Sequence, residues 1–280
     1  MKKLFFLTLL IFAAYGAVYY AFLEITDVSI LKKQFPRVIF HGKDLPVEIH
    51  FQKNKPENWV SLNEISKAAM QAVLISEDAA FYQHNGYDLD QLKEAMKENL
   101  RKRRFARGGS TITQQVAKNV FLDADKNLWR KFRELILSLS LEKQVGKKRI
   151  LETYFNIAEW GEGVYGIGPA ARLYFKKNPA ELTAKEGAFL AVLLPSPKKY
   201  SISFRQGELS PFARSTTNSI LRKLYNADRI SLEEYKHFLQ TPFNFEKKFT
   251  PSTFDPEALE PEISDEEEDS GYSKVPVVSQ

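Results

Sequence analysis

The chain has 280 residues, 44% of them apolar, which is enough for one core of about 200 residues with appendages. It contains no cysteine and only four histidines, none of them paired at metal-ligand spacing. A disulfide framework and a cysteine nucleophile are thereby excluded, and the histidine spacing argues against a zinc enzyme. The net charge of +5 conceals an asymmetry: residues 255–280 carry nine acidic side chains and one lysine, whereas residues 93–149 hold sixteen Lys/Arg against six Asp/Glu. So basic a centre calls for an anionic partner, whether nucleic acid, anionic lipid or a phosphorylated substrate.

Leu4 to Leu23 is a run of 20 residues without a charge, about 30 Å of helix and the thickness of a bilayer core. Tyr15, Tyr19 and Tyr20 gather toward its far end, where amphipathic rings suit the interface. A cleaved signal peptide, with Ala14 and Gly16 at the cleavage site, is the competing reading. Lys2 and Lys3 favour a cytoplasmic start, although Lys32, Lys33 and Arg37 beyond the span weaken that rule. The chain divides into a cytoplasmic start and transmembrane anchor (1–23), an extended membrane-proximal segment broken by Pro36, Pro46 and Pro56 (24–60), a helical domain (61–245) and an acidic disordered tail (246–280).

From Ser61 the periodicity is helical, so the fold class is mainly α. Ser61 and Glu64 form a capping box before Ile65, Ala69, Ala72 and Val73. Asp88 and Gln91 open a second helix whose apolar stripe is Leu89, Leu92, Met96 and Leu100. Residues 101–109 read as a basic loop. Ile112, Val116 and Val120 mark a third helix, Leu128, Phe132, Leu135 and Leu139 a fourth, and Ile150 and Tyr154 a fifth. Thr183 with Glu186, and Ser231 with Glu234, cap two later helices.

Three segments carry chemistry. Glu77 and Asp78 are adjacent acids at the end of an apolar helix, followed by Phe81, His84 and Gly86. A helix carboxyl end disfavours further negative charge, and apolar Ile75 and Phe81 beside a carboxylate raise its proton affinity. That environment suits a general acid or base, although two solvated acids at a helix end is the plainer reading. The run Arg107 to Asn119 leads a glycine pair into Ser110 and Thr111 at a helix start, an anion cradle. Thr111, Gln115 and Lys118 share one polar face there. Arg130, Lys131 and Glu134 stand at i, i+3 and i, i+4 spacing, which by itself reads as a surface ion-pair set. Gly161–Gly166 matches the dinucleotide pattern but follows a helix rather than a strand, and Ser196–Lys199 lacks the partner motifs of a penicillin-sensitive transpeptidase.

In order along the chain, these segments resemble the motifs of family 51 peptidoglycan glycosyltransferases. Glu77–Gly86 looks like E-D-x-x-F-x-x-H-x-G, Arg107–Gln115 matches R-G-G-S-T-I-T-Q-Q, and Arg130–Glu134 matches R-K-x-x-E. Lys147–Asn156 resembles K-x-x-I-L-E-x-Y-L-N, with Phe155 in place of leucine, and stretches beginning at Gly166 and Leu182 follow. The resemblance covers roughly residues 77–200. It implies a lysozyme-like, two-lobed helical domain with a membrane-facing smaller lobe. It also implies inverting transfer on lipid II, in the monofunctional form without a transpeptidase domain.

By matched position, Glu77 would be the base, with Glu134 and Lys131 as the other catalytic groups. Lys118, Arg130 and Lys131 would steady the departing pyrophosphate. Thr111, Gln115 and Asn119 would line the sugar and phosphate cleft, Asp78 would support Glu77, and Phe81 and His84 would shape its turn. No cofactor is certain; a divalent cation, Mg or Mn, near Glu134 is left open. Expected partners are lipid II, the growing glycan strand, membrane lipid and cell-wall synthesis proteins, with no nucleic acid. The expected place is the bacterial inner membrane, with a single pass and the catalytic domain in the periplasm. A membrane-anchored lytic enzyme that cleaves glycan is the alternative, though hydrolases have no need of a basic pyrophosphate cleft. A non-catalytic scaffold that binds wall precursors is a further one.

Overall fold

Of residues 24–60, expected to run extended, those described (27–42 and 45–60) fold onto the domain. The computed structural model describes residues 27–42, 45–102, 108–122, 127–249 and 251–252, with Phe6, Thr8, Leu9, Leu10, Phe12 and Gly16. A short helix α1 (Ile30–Lys33) carries Leu31 into the core, where Val28 is also fully buried. Strands β1 (Phe35–Ile39) and β2 (Glu48–Gln52) pair antiparallel, with Phe35 opposite Gln52 and Ile39 opposite Glu48. Val38, Ile49 and Phe51 lay their apolar faces on the core. Pro36, which cannot donate to a ladder, is tolerated because the sheet has only two strands. Arg149 staples this segment down. Its Nε donates to the Leu31 carbonyl at 2.8 Å and its Nη2 to the Gln34 carbonyl at 2.9 Å. Its guanidinium also lies over the rings of Phe35 and Trp59.

The capping box of Ser61 and Glu64 forms, but it closes a single 3-10 turn (Leu62–Glu64), because Ile65 is extended. Helix α2 (Lys67–Glu77) starts instead from Ser66, whose hydroxyl accepts from the Ala69 amide. Helices α3 (Leu89–Arg101), α4 (Ile112–Phe121), α5 (Leu128–Gln144) and α6 (Lys147–Ile157) follow. A hairpin of β3 (Glu159–Gly161) and β4 (Val164–Tyr165) leads into α7 (Ile167–Phe175). The glycine-rich dinucleotide match is therefore a tight hairpin turn, with Gly163 at a positive φ of 72°.

Helix α8 (Ala184–Leu193) is buried at every position and is the centre of the domain. Gly187 allows α2 to lie against it: a Cβ there would stand 2.5 Å from Ala69 Cα. Its two charged residues are paired, Glu186 with Lys177 at 2.9 Å and Lys185 with the carbonyls of Phe238 and Thr241. Short helices α9 (Pro197–Tyr200) and α10 (Ile202–Gln206) lead to α11 (Pro211–Asn226), which packs on α8 and α2, and then to α12 (Leu232–Gln240). The domain continues past residue 245. Phe243 and Phe245 stack within the aromatic cluster of Phe175, Phe189 and Phe204, the Lys247 amide donates to the Gly207 carbonyl, and the Ser252 amide donates to the Leu239 carbonyl.

The stripe of α3 does not face the core. Leu89, Leu92, Met96 and Leu100 are 55, 45, 62 and 81% exposed, and it is Ala95 that is buried. On α5 the core face is Glu134, Leu137, Ser138 and Leu141, so Leu128 and Leu139 point outward. Two amphipathic helices therefore turn apolar surface to the outside along one groove of about 690 Å³, lined by Tyr87, Leu89, Leu92, Leu135, Leu139 and Lys131. The predicted anchor, Leu4–Leu23, lies outside the described residues except at the six positions given above, as does the tail beyond Ser252. Among the described residues no helix is long and apolar enough to cross a membrane.

Candidate active site

Glu77 is the last residue of α2, where the helix breaks because Asp78 leaves the helical region. The turn that follows is fixed from both ends. Buried Asp78 accepts from the Ile112 amide at 2.9 Å, at the free start of α4, and pairs with His84 Nε2 at 2.8 Å. The Gly86 amide donates to His84 Nδ1 at 3.1 Å, which makes Nε2 the protonated nitrogen when the ring is neutral. The Thr111 hydroxyl donates to the Gly86 carbonyl at 2.8 Å and also caps α4 in a box with Gln114. Phe81 is buried beneath the turn, its ring covered by the Lys147 ammonium.

Glu77 itself is held by Gln115, whose Nε2 donates to Glu77 Oε2 at 2.9 Å. Tyr154, fully buried, orients that amide from behind, with its hydroxyl 3.5 Å from Gln115 Oε1. Burial and the adjacent Asp78 push the Glu77 carboxyl above the usual carboxylate range, against the opposing pull of the Gln115 bond and the Lys118 charge. Burial and the two carboxylates likewise hold the Tyr154 phenol well above its ordinary value.

Lys118, one turn after Gln115, connects Glu77 to the basic cluster. Burial, together with the charges of Arg130 and Lys131, lowers its ammonium below the ordinary lysine value, while Glu134 and Glu77 oppose the shift. Glu134 is only 3% exposed, so this is not the surface ion-pair set that the spacing alone suggested. Lys131 bonds to Glu134 and, at 3.1 Å, to the Ser110 hydroxyl, and Arg130 Nη1 stands 3.5 Å from the other Glu134 oxygen. Among the described residues Arg130 Nε is buried without a hydrogen-bond partner, a donor that an anion would complete. Glu134 has its oxygens facing these cations, and no group of three or more His, Asp or Glu side chains gathers among the described residues.

The site thus combines one half-buried carboxylate of raised proton affinity with a neighbouring cluster of cations and, among the described residues, a spare donor. Glu77, Gln115, Lys118, Arg130, Lys131 and Glu134 are brought together, while Asp78, Phe81, His84 and Thr111 build the turn. Asn119 is exposed at the end of α4 and makes no side-chain hydrogen bond among the described residues. The Tyr154 contact escaped the sequence reading; its signal was a hydroxyl on an otherwise apolar helix face.

The profile of the Transglycosylase family matches residues 45–225, from just before β2 to the end of α11. The chain belongs to the transglycosylase family. Relatives named biosynthetic peptidoglycan transglycosylase share 44% identity over 156 residues in Nitrosomonas eutropha, covering 56% of this chain and 64% of the relative. The relative from Nitrosospira multiformis shares 40% over 169 residues, covering 60% and 72%. The relative from Bordetella pertussis shares 38% over 211 residues, covering 74% and 82%. The chain thus spans a little under two thirds of the Nitrosomonas relative's own length. This transglycosylase match agrees with the resemblance to family 51 drawn from the motifs, and all eleven residues assigned from them lie within the matched stretch.

Proposed function

We propose that this chain is a monofunctional peptidoglycan glycosyltransferase that polymerises lipid II into linear glycan strands and releases undecaprenyl pyrophosphate. One observation carries the reading: a carboxylate of raised proton affinity at Glu77 lies within electrostatic reach of Lys118, which in turn feels Arg130 and Lys131, and Arg130 Nε has no partner among the described residues. Glu77 takes the proton from the 4-hydroxyl of the acceptor's N-acetylglucosamine. The freed oxygen attacks the anomeric carbon of the donor's N-acetylmuramic acid, the α-linked pyrophosphate departs with the bonding pair, and a β-1,4 bond forms. Negative charge grows on the leaving group, and fixed cations lower that barrier. The pairing of Arg130 and Lys131 with buried Glu134 supports this role for them. Gln115 and Asn119 line the sugar side, whereas Thr111, expected beside them, is buried and serves through the turn.

We read the fold as lysozyme-like, with α3 and the outward face of α5 forming a smaller lobe that lies against membrane. The exposed stripe of Leu89, Leu92, Met96 and Leu100 supports this. So does the basic stretch Arg101–Arg104 that follows it, each residue adding about 1 kcal/mol of attraction near an anionic surface. The apolar run Leu4–Leu23 supports a single-pass anchor in the inner membrane, with the domain on the periplasmic side. The experiment is direct: purified protein in detergent is given lipid II and the products are resolved on a gel. A polymer ladder is expected, and Glu77→Gln is expected to lower turnover by several orders of magnitude with the fold intact. Near-normal rates in that variant would remove Glu77 from the base role.

A further inference from the structure

Behind the catalytic turn, one buried carboxylate ties three helices together. Glu142 of α5 accepts from the Thr113 hydroxyl of α4 at 2.5 Å and from the Lys147 ammonium of α6 at 2.7 Å. Thr113 is wholly buried and the Glu142 side chain is 7% exposed. Two of these residues, Lys147 and Glu142, also touch the turn that follows Glu77, and Thr113 joins them to α4. Lys147 lies 4.3 Å from the centre of the Phe81 ring. Gly86, at a φ of 94°, packs so closely on α5 that a Cβ would meet Ser138 O at 3.0 Å and Glu142 Cγ at 3.2 Å. Both ends of the turn hang on the first residues of α4, Asp78 on the Ile112 amide and Gly86 on the Thr111 hydroxyl. Whatever fixes the start of α4 against α5 therefore fixes the turn, and the Thr113–Glu142 bond is placed to do so.

We infer that Glu142 is a positioning residue for the transfer reaction, acting through Thr113 and Lys147 to hold the 78–86 turn and hence the Glu77 carboxylate in its working place. The inference rests on the proposed transferase reading, in which Glu77 is the base. A displaced base costs rate rather than substrate affinity, because only the attack geometry suffers.

The test measures lipid II polymerisation by the full chain in detergent, with kcat and KM taken across pH and the thermal midpoint recorded for each variant. Thr113→Val and Glu142→Ala are expected to lower kcat about tenfold to a hundredfold. KM should stay nearly unchanged, and the acid limb of the kcat profile should move to lower pH as water reaches a loosened Glu77. Thr113→Ser and Glu142→Gln, which keep a partner for the bond, should recover most of the rate and return the limb. Thr113→Val carries the test alone if Glu142→Ala does not fold. A lower thermal midpoint with kcat and the acid limb unmoved would make the tie purely structural and overturn the inference. Failure of the wild type to polymerise would overturn the transferase reading and this inference with it.

Discussion

At Glu77, opposing forces set the charge. Burial and Asp78 favour the proton; the Gln115 amide and the Lys118 ammonium favour its loss. A base works only when ionised, so the rate should rise with pH through a limb lying above the ordinary carboxylate range. Gln115→Ala removes a bond made to the ionised form, which raises the Glu77 value further. The acid limb of that variant is therefore expected at higher pH than in the wild type, and an unmoved limb would deny the Gln115 bond its part. The adjacent acids, the Arg-Gly-Gly-Ser-Thr run and the Arg-Lys-x-x-Glu spacing were all legible in the sequence. What spacing could not tell was which acid does what. Asp78 is consumed by the Ile112 amide and His84, contacts made across 34 residues in one case. Glu134 looked like half of a surface pair because the i, i+3 rule is silent on which face of the helix is buried.

At the scale of elements, α3 and α5 carry the clearest departure from a simple reading of periodicity. A stripe of apolar residues at helical spacing identifies a helix and an apolar neighbour, but the neighbour need not be protein. Ala72 and Val73 of α2, and Ile112 and Val116 of α4, do meet the core. Met96 and Leu100 of α3 do not. Met96→Glu with Leu100→Glu should leave the thermal midpoint nearly unchanged, because both side chains are already exposed. The same pair should sharply weaken binding to vesicles containing anionic lipid. A marked loss of stability with vesicle binding intact would place this face against protein instead. The β1–β2 hairpin was hidden for a different reason: its prolines suggested a broken segment, and Arg149, more than a hundred residues away, docks it through the Phe35 ring and the backbone leading into β1.

Across the whole molecule, helix α8 organises the fold, and its one lysine joins the centre to the end of the domain. Lys185 is buried, donates to the last carbonyls of α12 and lies over the Phe243 ring, and burial draws its ammonium down to about 8. The unfolded chain keeps that lysine protonated to about 10.4. Between those values the unfolded state binds more protons than the folded one, so this group adds stability as pH rises through that window. A neutral amine still donates both bonds. The wild type should therefore gain stability relative to Lys185→Met between pH 8 and 10 in urea unfolding, and parallel curves would contradict the shift.

Transfer and hydrolysis change glycan length in opposite directions. The purified full chain is incubated side by side with lipid II and with preformed glycan strands, and the lengths of the products are followed over time. The transferase account predicts that lipid II is built into long strands with release of undecaprenyl pyrophosphate, while preformed glycan keeps its length. Shortening of preformed glycan without growth from lipid II would contradict it and make the site a lytic one.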